Sequence, residues 1–288
     1  MDIKTFATTL FITGIATCGS AHANDPSGSL NVSPRETKSL VTWQFSRDSL
    51  HWQTVRIPHD WAIAGPFDKK WDIQYVAIEQ NGEKEKTEKS GRSGALPWLG
   101  HGYYSTHVTL SQCKGRRVML NFDGAMAEPT VYVNGKRAGH WAYGYTPFRL
   151  DITPYINDGD NVVTVSLSNM EESSRWYPGA GLYRPVTLEI LPELHIDSWK
   201  TIITTEKNHP NYIVDYKTTI PNVPEGYRLR LDILDSKGKQ IKTAEQNELK
   251  RGAMEYQFTL DEDSVHLWSP ETPYLYRCVT TLLDDSGH

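Results

Sequence analysis

The sequence predicts an all-β chain: a jelly-roll β-sandwich followed by a smaller immunoglobulin-like β-sandwich. Three observations lead there. Apolar residues alternate with polar ones instead of recurring at helical spacing. Asn134-Gly135 lies between two short extended runs, a type I′ hairpin signal, because both residues tolerate positive φ. Turn residues punctuate the chain at the density expected of short-stranded sandwiches and jelly rolls.

Taken in order, the first residues read as an export signal. Lys4 supplies the positive charge, "FATTLFITGIATCG" the short apolar run, and Ala21-His22-Ala23 a small-x-small cleavage site before Asn24. The run is shorter than the roughly 20 residues needed to span a bilayer. Residues 1–23 are therefore expected to direct export, to the periplasm or the medium. Lipid anchoring at Cys18 is the weaker reading, since Thr17 fits a lipoprotein signal poorly.

Residues 38–193 carry the first set of strands. In "RRVMLNFDG", Val118, Leu120 and Phe122 share one face, and Met119, Asn121 and Asp123 the other. "PTVYVNGKRAGHW" is the hairpin, "NDGDNVVTVSLSN" a turn followed by an alternating strand, and "YRPVTLEIL" a further strand. Residues 194–288 carry the second set: "HIDSWKTIITTEK", "NYIVDYKTTIPN", "YRLRLDILDSKGKQI", "MEYQFTL" and "YLYRCVTTLLDDSGH". There Asp235-Ser236-Lys237-Gly238 is the expected hairpin turn. The polar run at 79–94 reads as a solvated loop. The closing "LLDDSGH" reads as a turn with no return strand, which suggests a sequence cut from a longer one.

Composition narrows the function. The chain is 288 residues long, 38% hydrophobic and 23% charged, with net charge −5. Nucleic-acid binding needs basic patches and is not expected. Nine Trp and 15 Tyr suit β cores and polar-ligand clefts alike, because each ring pairs an apolar face with a polar tip. Once Cys18 leaves with the signal, Cys113 and Cys278 are expected to be free thiols. No spacing suggests a zinc site, and no cofactor is implied.

Five motifs carry a resemblance: "VRIPHDWAI", "YVNGKRAGHWAYGYTPFRLDIT", "GDNVVTVSLSN", "SSRWYPGAGLYRPVTLEI" and "LWSPETPYLY". Together they resemble the front half of glycoside hydrolase family 2, and most closely its exported β-galactosidases. The resemblance implies a galactose-binding-like jelly roll at 38–193 and an immunoglobulin-like domain at 194–288. A catalytic TIM barrel bearing two glutamates would follow, and this sequence is expected to stop short of it. The implied partners are a β-galactoside substrate and that missing barrel. A homo-oligomer remains open. β-Glucuronidases and β-mannosidases of the family share this front end, so the sugar also stays open. A stand-alone carbohydrate-binding module and a purely structural sandwich are the readings from other classes.

The residues themselves offer no catalytic pair. A retaining glycosidase needs two carboxyl groups about 5–5.5 Å apart, in environments that separate their acidities. Glu171-Glu172 are adjacent and point apart in an extended chain. They and Asp284-Asp285 read as solvated charges. His59-Asp60 looks like acid–base material. Pro58 favours extended geometry around it, however, so the two side chains should face apart, and no nucleophile accompanies them. Asp60 is expected to accept backbone N–H bonds and Trp61 to anchor the core.

The better candidate is "SSRWYPGAGLYRPV", residues 173–186. Its Pro and Gly residues force a tight path that can present Arg175, Trp176 and Tyr177 outward on a loop; the resemblance implies that this loop approaches the barrel's active-site mouth, with pure domain packing as the other reading of the segment. The resemblance places an acidic residue of some β-galactosidases where Arg175 stands, so a cation site from this domain is in doubt. Arg184 is expected to form an internal salt bridge or to pack. "GHWAYGYTPF" is expected to supply core and a barrel-facing surface, with a carbohydrate-binding face as the alternative. His101 and His107 share a strand face but lack further ligands for a metal.

Overall fold

A computed structural model describes residues 12–15, 35–71, 74–75, 86–87, 97–98, 100–169, 179–220, 223–247, 249 and 252–287. Among these residues there are strands and short 3-10 turns but no α-helix. The strands are β1 (Ile12–Ile15), β2 (Glu36–Ser39), β3 (Thr42–Ser46), β4 (Gln53–Arg56), β5 (Gln74–Tyr75), β6 (Lys86–Thr87), β7 (Gly100–Leu110), β8 (Arg116–Phe122), β9 (Thr130–Val133) and β10 (Lys136–His140). They continue with β11 (Phe148–Asp151), β12 (Gly159–Asn169), β13 (Val186–Pro192), β14 (Ile202–Asn208), β15 (Asn211–Ile220), β16 (Arg228–Leu234), β17 (Gln240–Gln246), β18 (Gly252–Asp261) and β19 (Tyr276–Leu283). The chain divides into two compact units, one of Arg35–Leu191 and one built on Pro192–His288.

The first unit is the jelly-roll sandwich. A six-stranded sheet runs β10-β9-β12-β7-β3-β4 and a four-stranded sheet β11-β8-β13-β2. The longest ladder is antiparallel, from Gly159 opposite Leu110 to Asn169 opposite Gly100. Both of its strands alternate as the sequence does, so Tyr104, Val108 and Leu110 face the same core as Val163, Val165 and Leu167. From the other sheet come Val118, Leu120, Phe122, Val186 and Leu188. Phe122 stacks on Phe148 at 4.6 Å between ring centroids. Each fully buried side chain of this kind contributes roughly 1.5–3 kcal/mol against exposure.

The predicted hairpin joins β9 to β10, with φ of 51° at Asn134 and 76° at Gly135. Asn134 does more than turn. Its amide donates to the Tyr155 carbonyl and to Asn161 Oδ1, both at 2.9 Å, and its Oδ1 accepts from the Val162 N–H. The second face of β8 is not simply polar and wet. Asn121 is buried there and donates to Glu189, which also pairs with Arg35 at 3.2 Å and Arg149 at 3.6 Å.

The second unit is the immunoglobulin-like sandwich. Its sheets are β14-β15-β18 and β1-β19-β16-β17, with β1 parallel to β19. Tyr212, Val214, Phe258 and Tyr276 form one core cluster, and Tyr216, Leu229, Leu231 and Cys278 another. The predicted turn joins β16 to β17. Asp235 Oδ1 accepts from the Lys237 and Lys239 N–H groups and thereby fixes it. One strand expectation fails in part. "HIDSWK" becomes a 3-10 turn at Ser198–Lys200, because Asp197 accepts the Trp199 N–H at 3.0 Å and caps it. Cys113 and Cys278 are free thiols, and burial pushes Cys278 up to about 11.

Candidate functional site

The histidine-aspartate motif and the glycine-rich segment meet. After β4, the chain turns at residues 57–62 and lies against residues 179–182. The His59 N–H donates to the Leu182 carbonyl at 2.8 Å, and the Trp61 N–H to the Ala180 carbonyl at 3.0 Å. Alternate donors on one segment thus serve alternate acceptors on the other, as in a short ladder. Asp60, between them, binds the same segment through its side chain. Its Oδ1 accepts from the Ala62 N–H at 3.0 Å and the Ala180 N–H at 3.1 Å.

His59 does not pair with Asp60. Its Nδ1 shares a 2.7 Å hydrogen bond with the Tyr104 hydroxyl. Burial lowers the His59 pKa, outweighing the attraction of Asp60, with Arg47 lowering it further. Burial likewise drives the Tyr104 phenol far upward. Trp61 is fully buried and stacked on Phe45 at 5.5 Å. The motif is scaffold: a pinned backbone, a core indole and an imidazole tied to Tyr104.

The glycine-rich segment is pinned from two further sides. Met126 and Gly181 exchange both backbone hydrogen bonds, at 3.0 and 2.8 Å. Asn169, at the end of β12, donates from Nδ2 to the Gly179 carbonyl at 2.7 Å. Gly181 sits at φ +113°, and a Cβ there would lie 2.4 Å from the Tyr104 hydroxyl and 2.6 Å from the His59 carbonyl oxygen. No other residue fits that approach. Asn169 and Gly179, which flank residues 170–178 in the sequence, are therefore hydrogen-bonded to each other. Arg175, Trp176 and Tyr177, with Glu171-Glu172, lie in that stretch, outside the described residues.

Sequence reasoning missed Asn169 and Tyr104. Asn169 was findable: it falls on the inward-facing register of β12 with Val163, Val165 and Leu167. A polar residue at a core-facing position signals a specific partner. Tyr104 gave no such signal, because an inward aromatic on a strand reads as packing.

The remaining candidates resolve as follows. Arg184 forms no salt bridge among the described residues. Its Nη1 donates to the Asp123 and Tyr145 carbonyls at 3.3 and 3.1 Å, and its guanidinium lies over Tyr183. In "GHWAYGYTPF", Phe148 is core, but Trp141, Tyr143 and Tyr145 are 40%, 58% and 45% exposed. They belong to the loop from β10 to β11, not to the core. His107 pairs with Asp160 at 2.8 Å, and no metal-ligating cluster exists among the described residues. Asp284 accepts the Ser286 N–H in a turn. Among the described residues, the carboxyl groups with shifted acidity, Asp48, Asp68, Asp235 and Glu262, are all shifted downward by hydrogen bonds to backbone or basic groups. A general acid needs the opposite shift.

The two units match two family models in sequence order. Residues 52–192 match the description "Glycosyl hydrolases family 2, sugar binding domain". Residues 194–288 match "Glycosyl hydrolases family 2". The chain belongs to glycoside hydrolase family 2.

This family 2 chain is 30% identical over 278 residues to the β-galactosidase BoGH2A of Bacteroides ovatus, covering 89% of this chain and 31% of that one. It is 29% identical over 246 residues to a putative β-glucuronidase of Formosa agariphila, covering 83% of this chain and 22% of that one. Among solved structures, a family 2 member from Bacteroides cellulosilyticus superposes with TM-score 0.71 at 27% identity, covering 86% of this chain and 33% of that one. The chain spans about a third or less of the length of these relatives.

Proposed function

We propose that this chain is the substrate-side scaffold of an exported family 2 β-galactosidase that cleaves terminal β-galactosides with retention. The observation that carries the reading is the ordered pair of family matches at 52–192 and 194–288. The relative at 30% identity is named a β-galactosidase, which favours galactose over glucuronic acid. Within the longer enzyme, the two sandwiches brace a catalytic barrel that supplies both carboxyl groups. Arg175, Trp176 and Tyr177, in the sequence between Asn169 and Gly179, reach the substrate. Asp60, Asn169 and Gly181 hold the flanking residues.

The test is a paired assay of the enzyme that carries these domains, on p-nitrophenyl β-galactoside and p-nitrophenyl β-glucuronide. The galactoside is expected to turn over faster, and the reverse order sinks the assignment. Arg175→Ala with Trp176→Ala is expected to lower kcat/KM roughly tenfold or more. An unchanged kcat/KM removes both residues from the cleft.

A further inference from the structure

The loop between β10 and β11 carries three large side chains that packing does not explain. The same unit also exposes Leu50, Trp52, Ile63 and Phe67, but Trp141, Tyr143 and Tyr145 stand out by sharing one loop. They are clustered: Tyr143 and Tyr145 have ring centroids 5.7 Å apart, and Tyr145 meets Tyr183 edge-on at 6.4 Å. Trp141 stacks on the core ring of Phe148 at 5.7 Å and 12°, so one indole face is backed by the core.

The loop is held in shape. The Trp141 N–H donates to the Pro129 carbonyl at 3.0 Å, and its indole N–H donates to Thr146 Oγ1 at 3.0 Å. The Tyr183 hydroxyl donates to the Gly144 carbonyl at 2.9 Å, and Arg184 donates to the Tyr145 carbonyl. Rings fixed in this way lose little entropy on binding. Polar groups flank them: the His140–Glu128 pair at 2.7 Å precedes Trp141, and Arg184 lies over Tyr183.

We propose that Trp141, Tyr143 and Tyr145 form a carbohydrate platform of their own, which takes a pyranose of an uncharged β-galactoside chain. The inference rests on the proposed function for its choice of sugar. A β-galactopyranose turns a patch of C–H groups to one side and hydroxyls outward. Flat rings with polar tips and a polar rim match both parts. The platform would hold a polymeric substrate near the enzyme, independently of residues 170–178.

The test is titration of the 288-residue chain with β-1,4-galactotetraose, read by calorimetry and by indole fluorescence. Saturable binding is expected. Trp141→Ala and Tyr143→Ala are each expected to weaken it roughly tenfold, while Tyr143→Phe keeps it. Near-UV circular dichroism confirms that each variant is folded, and Trp141→Phe serves as a milder second variant at that position. Unchanged affinity in both alanine variants overturns the proposal. So does a wild-type chain that binds no galactotetraose, or one that self-associates through these rings. Galactosidase turnover reads the proposed function separately. Turnover by the longer enzyme that carries these domains, without platform binding by the chain, sinks only the platform, and platform binding with no galactosidase turnover by that longer enzyme sinks only the enzymatic assignment.

Discussion

Asp60 illustrates how a residue can resemble a catalyst and act as a support. Its Oδ1 satisfies two backbone donors, at Ala62 and Ala180, and both alanines are fully buried. Removing the acceptor strands those N–H groups away from water. Asp60→Ala is expected to cost about 2–4 kcal/mol, while Asp60→Asn keeps an acceptor and recovers most of it. Denaturant midpoints of the two variants check this. His59 gives a pH prediction. Burial, the leading cause, holds its folded pKa below the ordinary 6.5, so the unfolded chain binds the proton more readily. Its contribution is present above 6.5 and is lost as pH falls through the lower, folded value. His51 has its pKa raised by Asp48 and pulls the other way, so the informative quantity is a difference between variants. The drop in Tm from pH 7.5 to 5.5 is expected to be smaller in His59→Gln than in the wild type.

The element that matters most is the junction of residues 57–62 with 179–182, where Gly181 is the tightest point. Gly181→Ala adds a methyl within 2.6 Å of two oxygen atoms at a φ of +113°. Strain and displacement together are expected to cost about 2–4 kcal/mol, read as a lower Tm and lost protection of the Met126 and Trp61 amides in hydrogen exchange. The regular strands were legible because their pattern is local: the alternation in β8 and β12 names its own inward face. The junction was not legible. Its partners lie 120 residues apart in the Asp60–Ala180 pair, and nothing periodic in either segment names the other. The 3-10 turn at Ser198–Lys200 was missed for a different reason. A single side-chain cap at Asp197 overrode the extended pattern around it.

At the scale of the whole chain, the sequence motifs carried the family and fold class, while the geometry decided what the motifs do. "VRIPHDWAI" was legible as non-catalytic, since adjacent side chains on an extended backbone diverge. That it clamps the base of another motif needed coordinates. The same scale sets the final prediction. Glycoside hydrolysis with retention needs one carboxylate as nucleophile and one carboxylic acid kept protonated near neutral pH. Among the described residues, the shifted carboxyl groups are all held ionised. Asp48 is tied to His51 and backbone N–H groups, and Glu262 to Lys207 and His209. None is raised, and the apolar surroundings that raise a carboxyl are occupied here by Trp61, Tyr104 and Phe45. The isolated 288-residue chain is therefore expected to release no p-nitrophenol from p-nitrophenyl β-galactoside above the buffer rate, even where it binds galactotetraose. Turnover that persists through purification and disappears when a single carboxyl of this chain is replaced would place an acid–base pair in these sandwiches after all.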